Sequence, residues 1–196
     1  MPKIVDHDER RAELLAALWR VVDRQGAAAV SVRSVATEAG VSKSSLAHYF
    51  PSQASLVAAA IEQVMDDSEN RISQLDLGKA DVPDIVSALS IAVPDSPDRR
   101  HQAALWLHLA ATSGDNTEVL ERLNDRVDER LRWGLEQMRQ VGLLGAGRSI
   151  DDETRRLHAL VDGLSLQVVS SPGRMTPPRV RTILTRHVED LTTPLR

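Results

Sequence analysis

Apolar residues along this chain recur at spacings of three and four, and nowhere do they alternate with polar ones for long. That periodicity marks helices that bury one face, and it argues against strands. The first predicted helix runs from about His7 to Gln25, with Leu14, Leu15, Leu18, Val21 and Val22 on one side, and Gly26 ends it. Ser31 is placed to cap a second helix with Val32, Val35 and Ala36 inward, and Ser42 to cap a third. Pro51 and Ser52 close the third and open a fourth, striped by Leu56, Val57, Ala60, Ile61, Val64 and Met65. After the break "LGKADVP" (77–83) a short apolar helix is expected over 84–93, followed by the loop "PDSPDR" and a helix over 102–112. Asp115 and Glu118 fit a capping box for a long helix to about Gly142. The turn "GLLGAGRS" leads to a helix over 151–170, "SPGRMTPP" (171–178) breaks the chain again, and a last helix covers 179–191. The expectation is an all-α chain of about nine helices, without internal repeats. It divides into a three-helix head, 1–52, and a larger helical body, 53–196, with the fourth helix belonging to both.

The stretch "SVATEAGVSKSSLAHYF" (34–50) carries the most specific signal. Two short helices meet at a tight turn, and Gly40 supplies the left-handed backbone such a turn needs. Ala36 and Ala39 are small enough for close approach, while Val35, Val41 and Leu46 fill the angle. The second helix is then free to present Lys43, Ser44, Ser45 and His48 outward. These hydrogen-bonding side chains are short enough for a helix to sit deep in a major groove, and Tyr49 is placed to reach a phosphate.

Charge sharpens this picture slightly. The net charge is −4, yet residues 1–52 hold seven Lys/Arg against six Asp/Glu, so the acid excess lies in the body. A polyanion partner is therefore permitted at one end only. The chain has no cysteine, which excludes a disulfide framework, a zinc–thiolate site and a cysteine nucleophile. It has no run of 18 apolar residues and no signal-peptide core, so a soluble, cytoplasmic protein without a membrane partner is expected.

"SVRSVATEAGVSKSSLAHYFPSQASL" resembles the DNA-binding domain of TetR-family transcriptional regulators at nearly every step: Ser31, Val35-Ala36, Ala39-Gly40-Val41-Ser42, Leu46, Tyr49-Phe50 and the cap at Ser52. The resemblance is strong over 10–60 and extends to the remainder as a layout of helices. "WLHLAATSGDNTEVLERLNDR", "ALVDGLSL" and the variant "AHYF" look more like the branch that contains the choline/betaine-pathway repressor. The resemblance implies double-stranded operator DNA as partner, contacted through Arg33, Ser42, Lys43, Ser44, Ser45, His48, Tyr49 and Ser52. Two departures stand out. Ala47 and Gln53 occupy positions where the family commonly has Tyr and Lys, both phosphate contacts, so Arg33 and Lys43 are expected to carry more of the salt-dependent affinity. The family also implies a small-molecule effector enclosed by helices four to eight, with Met65, Leu89, Gln102, Trp106, Leu109, Trp133, Gln137 and Met138 as candidates. The tryptophans hint at a flat or cationic ligand held by stacking.

The eighth helix is apolar on two sides. Leu157, Leu160, Val161, Leu164 and Val168 form one stripe; Ala159, Gly163, Leu166 and Val169 lie on another. A helix of this kind must be covered twice. The second cover is expected to be another copy of the chain, with Ile183, Leu184, His187 and Leu191 of the last helix beside it. The resemblance implies the same four-helix dimer interface.

No catalytic constellation assembles: G-x-S-x-G, the P-loop and H-E-x-x-H are all missing. Asp151, Asp152 and Glu153 sit at a helix start, where they complement the dipole. His101 and His108 are seven residues apart, against the three or four a metal pair wants, and His158 and His187 are lone helical histidines. No cofactor and no metal are expected. The expected function is a homodimeric repressor that binds an inverted repeat and is released by a small molecule. A ligand-dependent activator, or a small all-α enzyme or carrier containing a helix-turn-helix, are the alternatives.

Overall fold

Nine α-helices and two single 3₁₀ turns make up the computed structural model, which describes residues 7–75, 77–112 and 117–195. In order they are α1 (His7–Gln25), α2 (Val32–Glu38), α3 (Lys43–Tyr49), α4 (Gln53–Ser73), α5 (Val82–Ser90), α6 (Pro97–Ala111), α7 (Thr117–Gln140), α8 (Ile150–Ser170) and α9 (Pro177–Thr192). The 3₁₀ turns lie at Ala27–Ala29 and Leu77–Lys79. No strand occurs among the described residues.

The helix starts follow their caps. Ser31, Ser42 and Ser52 each accept a backbone N–H three residues on, at Ser34, Ser45 and Ser55. Three starts come earlier than the sequence pattern suggests, because proline in a sequence ordinarily marks a break. Pro97 instead occupies the first turn of α6, capped by Ser96, where a missing N–H costs nothing. Pro83 does the same in α5, behind Asp81, and α9 opens directly on Pro177 and Pro178. Asp115, expected to open the seventh helix, lies outside the described residues.

Two apolar clusters hold the chain together. The first joins α1, α2, α3 and the first half of α4 around Leu18, Leu46, Phe50 and Leu56, and it draws in Leu105, Leu109 and Leu123 from α6 and α7. The second joins α5, α7, α8 and α9 around Leu135, Met138, Leu164, Leu184 and Leu191. The α6 helix bridges them. It packs against α1 and the Ala27–Ala29 turn on one side and against α4 and α8 on the other, and His101 Nδ1 lies 2.9 Å from Asp23 Oδ1 of α1.

A ladder of ion pairs ties α4 to α7. Arg122 bonds Glu62 at 2.9 Å, Arg126 pairs with Asp66 and with Glu69 at 3.1 Å, and Arg130 lies 2.8 Å from Glu69. Partner numbers rise together along both helices, so α4 and α7 run parallel here. At the far end, the turn after α7 is strapped to the C-terminal segment. Gly145 donates its N–H to the Leu191 carbonyl at 2.8 Å, and Leu195 donates to the Ala146 carbonyl at 3.1 Å. The approach is so close that a Cβ on Gly145 would lie 2.3 Å from the Thr193 carbonyl oxygen.

Candidate DNA-binding face and ligand cavity

The turn between α2 and α3 closes by two backbone hydrogen bonds. Gly40, at φ 66°, donates to the Thr37 carbonyl at 3.2 Å, and Val41 to the Ala36 carbonyl at 3.0 Å. Leu46 is fully buried beneath α3, which fixes the outward face of that helix. Lys43, Ser44, Ser45, Ala47 and His48 are exposed on it, and Arg33 is exposed on the first turn of α2. The Ser42 and Ser52 hydroxyls are engaged at the helix ends, at 3.0 Å from the Ser45 and Ser55 nitrogens. Tyr49 is half-buried. Its ring lies 4.7 Å from that of His7 and meets the His48 ring edge-on at 5.4 Å. Phe50 is core, with the Arg11 guanidinium 4.5 Å over its ring. His7 escaped the sequence reading because only the fold brings the first turn of α1 against α3.

A cavity of about 190 Å³ opens between α4, α6, α7 and α8. Each helix gives it one stripe at helical spacing: Ile61, Val64, Met65, Ser68, Glu69 and Ile72 from α4; Arg99, Gln102, Ala103 and Trp106 from α6; Arg126, Val127, Arg130 and Leu131 from α7; Val161, Asp162 and Ser165 from α8. Ile91, Ala92 and Pro94 close one end. Burial pushes the Glu69 carboxyl up, but the hydrogen bonds from Arg126 and Arg130 outweigh it and hold Glu69 below the ordinary glutamate range. Asp162 behaves oppositely. Burial raises its carboxyl and Asp128 adds to that, while His158, 3.6 Å away, opposes them.

Comparison with known proteins bears on both sites. Residues 84–193 match the family described as "BetI-type transcriptional repressor, C-terminal", and residues 14–60 match "Bacterial regulatory proteins, tetR family". The chain is similar to the HTH-type transcriptional regulator PksA of Bacillus subtilis (strain 168), at 30% identity over 97% of this chain and 94% of the relative. The chain belongs to the TetR family. It is a DNA-binding transcriptional regulator of the BetI repressor type, and such regulators are not enzymes. Among solved structures it resembles a putative TetR-family regulator from Rhodococcus sp., with a TM-score of 0.79 at 21% identity, covering 95% of this chain and 100% of that one. It also resembles the multidrug binding protein EbrR complexed with malachite green, with a TM-score of 0.65 at 25% identity, covering 91% and 98%. Among the described residues no helix is long and apolar enough to cross a membrane.

Within this TetR-family body, the effector candidates separate into groups. Met65, Gln102 and Trp106 line the main cavity. Leu89, Met138 and Trp133 line a second, smaller one of about 70 Å³, where Trp133 is 37% exposed with Arg130 over its ring. Leu109 and Gln137 reach neither. Leu109 lies a turn beyond Trp106, where α6 has already entered the first apolar cluster, and Gln137 lies past the segment of α7 that faces the main cavity. Arg99, Glu69, Asp162 and Ser165 were missed. Their signal was present in the spacing from Gln102 and Met65, but polar residues on a helix are ordinarily read as its solvated face.

The expected dimer face also divides. Leu166 is 51% exposed; Ala159 is exposed and Gly163, Val169, Ile183 and His187 are half-buried. Leu184 and Leu191 are the corrections: both are fully buried in the chain's own second cluster, so neither can face another copy. His187 presents a buried Nε2 without a hydrogen-bond partner among the described residues, and burial pushes its imidazole below the ordinary histidine range.

Proposed function

We propose that this regulator is a cytoplasmic homodimeric repressor that binds an inverted-repeat operator and is released by a small molecule in the α4–α6–α7–α8 cavity. The head, 1–52, reads DNA through Lys43, Ser44, Ser45 and His48, with Arg33, Tyr49 and the α3 and α4 starts at Ser42 and Ser52 on phosphates. The body, 53–196, binds effector and dimerises through Ala159, Gly163, Leu166 and Val169 of α8 with Ile183 and His187 of α9. EbrR, complexed with malachite green in a related structure, supports a ligand role for the body.

The observation that carries the reading is the continuity of α4. Its capped N-terminus follows the recognition helix by way of Pro51, and its stripe from Ile61 to Ile72 walls the cavity. A ligand that binds better to the DNA-incompetent state displaces α4, and with it the spacing of the paired recognition helices. The α6 helix adds a second lever, since it lines the cavity and is tied to α1 through His101 and Asp23.

The test uses DNA from upstream of the protein's own gene. Ser45→Ala with His48→Ala removes base contacts worth about 1–3 kcal/mol each and lowers operator affinity accordingly. Ala103→Trp fills the cavity without touching the DNA face. It should weaken operator binding roughly 5–150-fold, the usual range of allosteric coupling. Leu166→Glu should give monomers by light scattering. Unchanged operator binding by the filled-cavity variant would remove the cavity from the mechanism.

A further inference from the structure

Arg99 is the least exposed of the three arginines that line the cavity. It begins the α6 stripe, and its side chain is only 17% exposed. A guanidinium carries five N–H donors. Among the described residues Arg99 donates one to the Ile91 carbonyl and one, at 3.2 Å, to Asp95 Oδ1. Asp95 is itself 53% exposed, so water screens the only carboxylate that pairs with it among the described residues. Burial pushes the Arg99 guanidinium down, Arg71 adds to that, and Asp95 offsets only part. An arginine does not escape such a site by losing its proton; it stays charged and under-paired.

The other charges lining the cavity do not supply the missing partner. Glu69 is shared between Arg126 and Arg130. Asp162 sits on α8 beside His158, which Asp128 already holds at 2.6 Å. Three arginines and two carboxylates line the cavity, and from outside the lining Asp66 pairs with Arg126 and Asp95 with Arg99.

We propose that the cavity selects small amphipathic monoanions, with a carboxylate held on the free N–H groups of Arg99 and an apolar body lying along α4 against Trp106. This rests on the reading of the cavity as the effector site and gives that effector a chemical class. Size limits it further: about 190 Å³ is room for about six water-sized groups, so a short acyl chain or a single ring with its carboxylate fills it.

The experiment is calorimetric titration of the full-length protein with three probes that differ only in the head group: hexanoate, hexanamide and hexylammonium. Hexanoate should bind at least about tenfold more tightly than either of the others, the lower end for a charge-assisted hydrogen bond. Arg99→Gln should abolish that preference while hexanamide binds as before, and Arg99→Lys should restore part of it. Unchanged hexanamide binding shows that the Gln variant keeps its cavity. Equal binding of all three probes, tighter binding of hexylammonium, or full hexanoate affinity in Arg99→Gln each overturns the monoanion class and leaves the cavity as a ligand site. Failure of all three to bind overturns the cavity reading together with it.

Discussion

Two arginines sit away from bulk water, Arg148 buried in the C-terminal strap and Arg99 half-buried in the cavity, and the chain treats them differently. Arg148 is 2% exposed in its side chain, and each of its three guanidinium nitrogens has a partner. It donates to Glu153 at 2.8 Å, to the Thr193 carbonyl at 2.9 Å and to the Asp190 carbonyl, and Glu153 is itself buried and further bonded by Arg156. Every element the strap joins contributes a group: the turn after α7, the start of α8 and the end of α9. Arg99 has one carbonyl and one solvated carboxylate. A buried charge with a complete partner set is part of the scaffold. One with donors to spare, facing a cavity, is held ready for something that comes and goes.

That contrast can be broken by mutation. Arg148→Met should have the largest effect, about 3–5 kcal/mol in urea denaturation, because it takes the buried partner from Glu153, leaving only Arg156 on that carboxylate, and removes the donor to the Thr193 and Asp190 carbonyls. A compensating Glu153→Leu in the same chain should recover much of it, since a matched apolar pair replaces the ion pair. Gly145→Ala should come next at about 1–3 kcal/mol, because the added methyl meets backbone that cannot rotate away, at 2.3 Å from the Thr193 oxygen. Its signature would be loosening of the strap, read as faster amide exchange at Leu195.

The ion-pair ladder should contribute less. The folded-state carboxyl of Glu69 lies below its unfolded value, so its contribution is complete above the ordinary glutamate range near ~4.3 and is lost as pH falls through the depressed value. Comparing wild type with Glu69→Gln at neutral and at acid pH should show a difference under about 1 kcal/mol that vanishes in acid. Arg99→Met should have the smallest effect on the same urea curve, within about 0.5 kcal/mol of wild type, because removing an under-paired charge also removes its desolvation cost. A loss as large as that of Arg148→Met would place Arg99 in the scaffold and erase the distinction.

What sequence alone determined is local. Helix periodicity, the serine caps at 31, 42 and 52, and Gly40 at its turn are all set by interactions within a few residues, so α3 and its outward Lys43, Ser44, Ser45 and His48 are legible without the fold. Proline misled at α5, α6 and α9 because a first-turn proline and a breaking proline look alike until the cap before it is seen. Only tertiary structure decided the rest. Leu184 and Leu166 are equally apolar in sequence, and one is core while the other is exposed, because the rotation of α8 and α9 about their axes is set by their neighbours. Arg122, Arg126 and Arg130 read as a solvated face until parallel α4 lays Glu62, Asp66 and Glu69 beside them. Arg99 and Arg148 are one residue type on one kind of pattern. Whether such a charge is closed off or left open depends on carbonyls and carboxylates far away in the chain, and no local spacing records them.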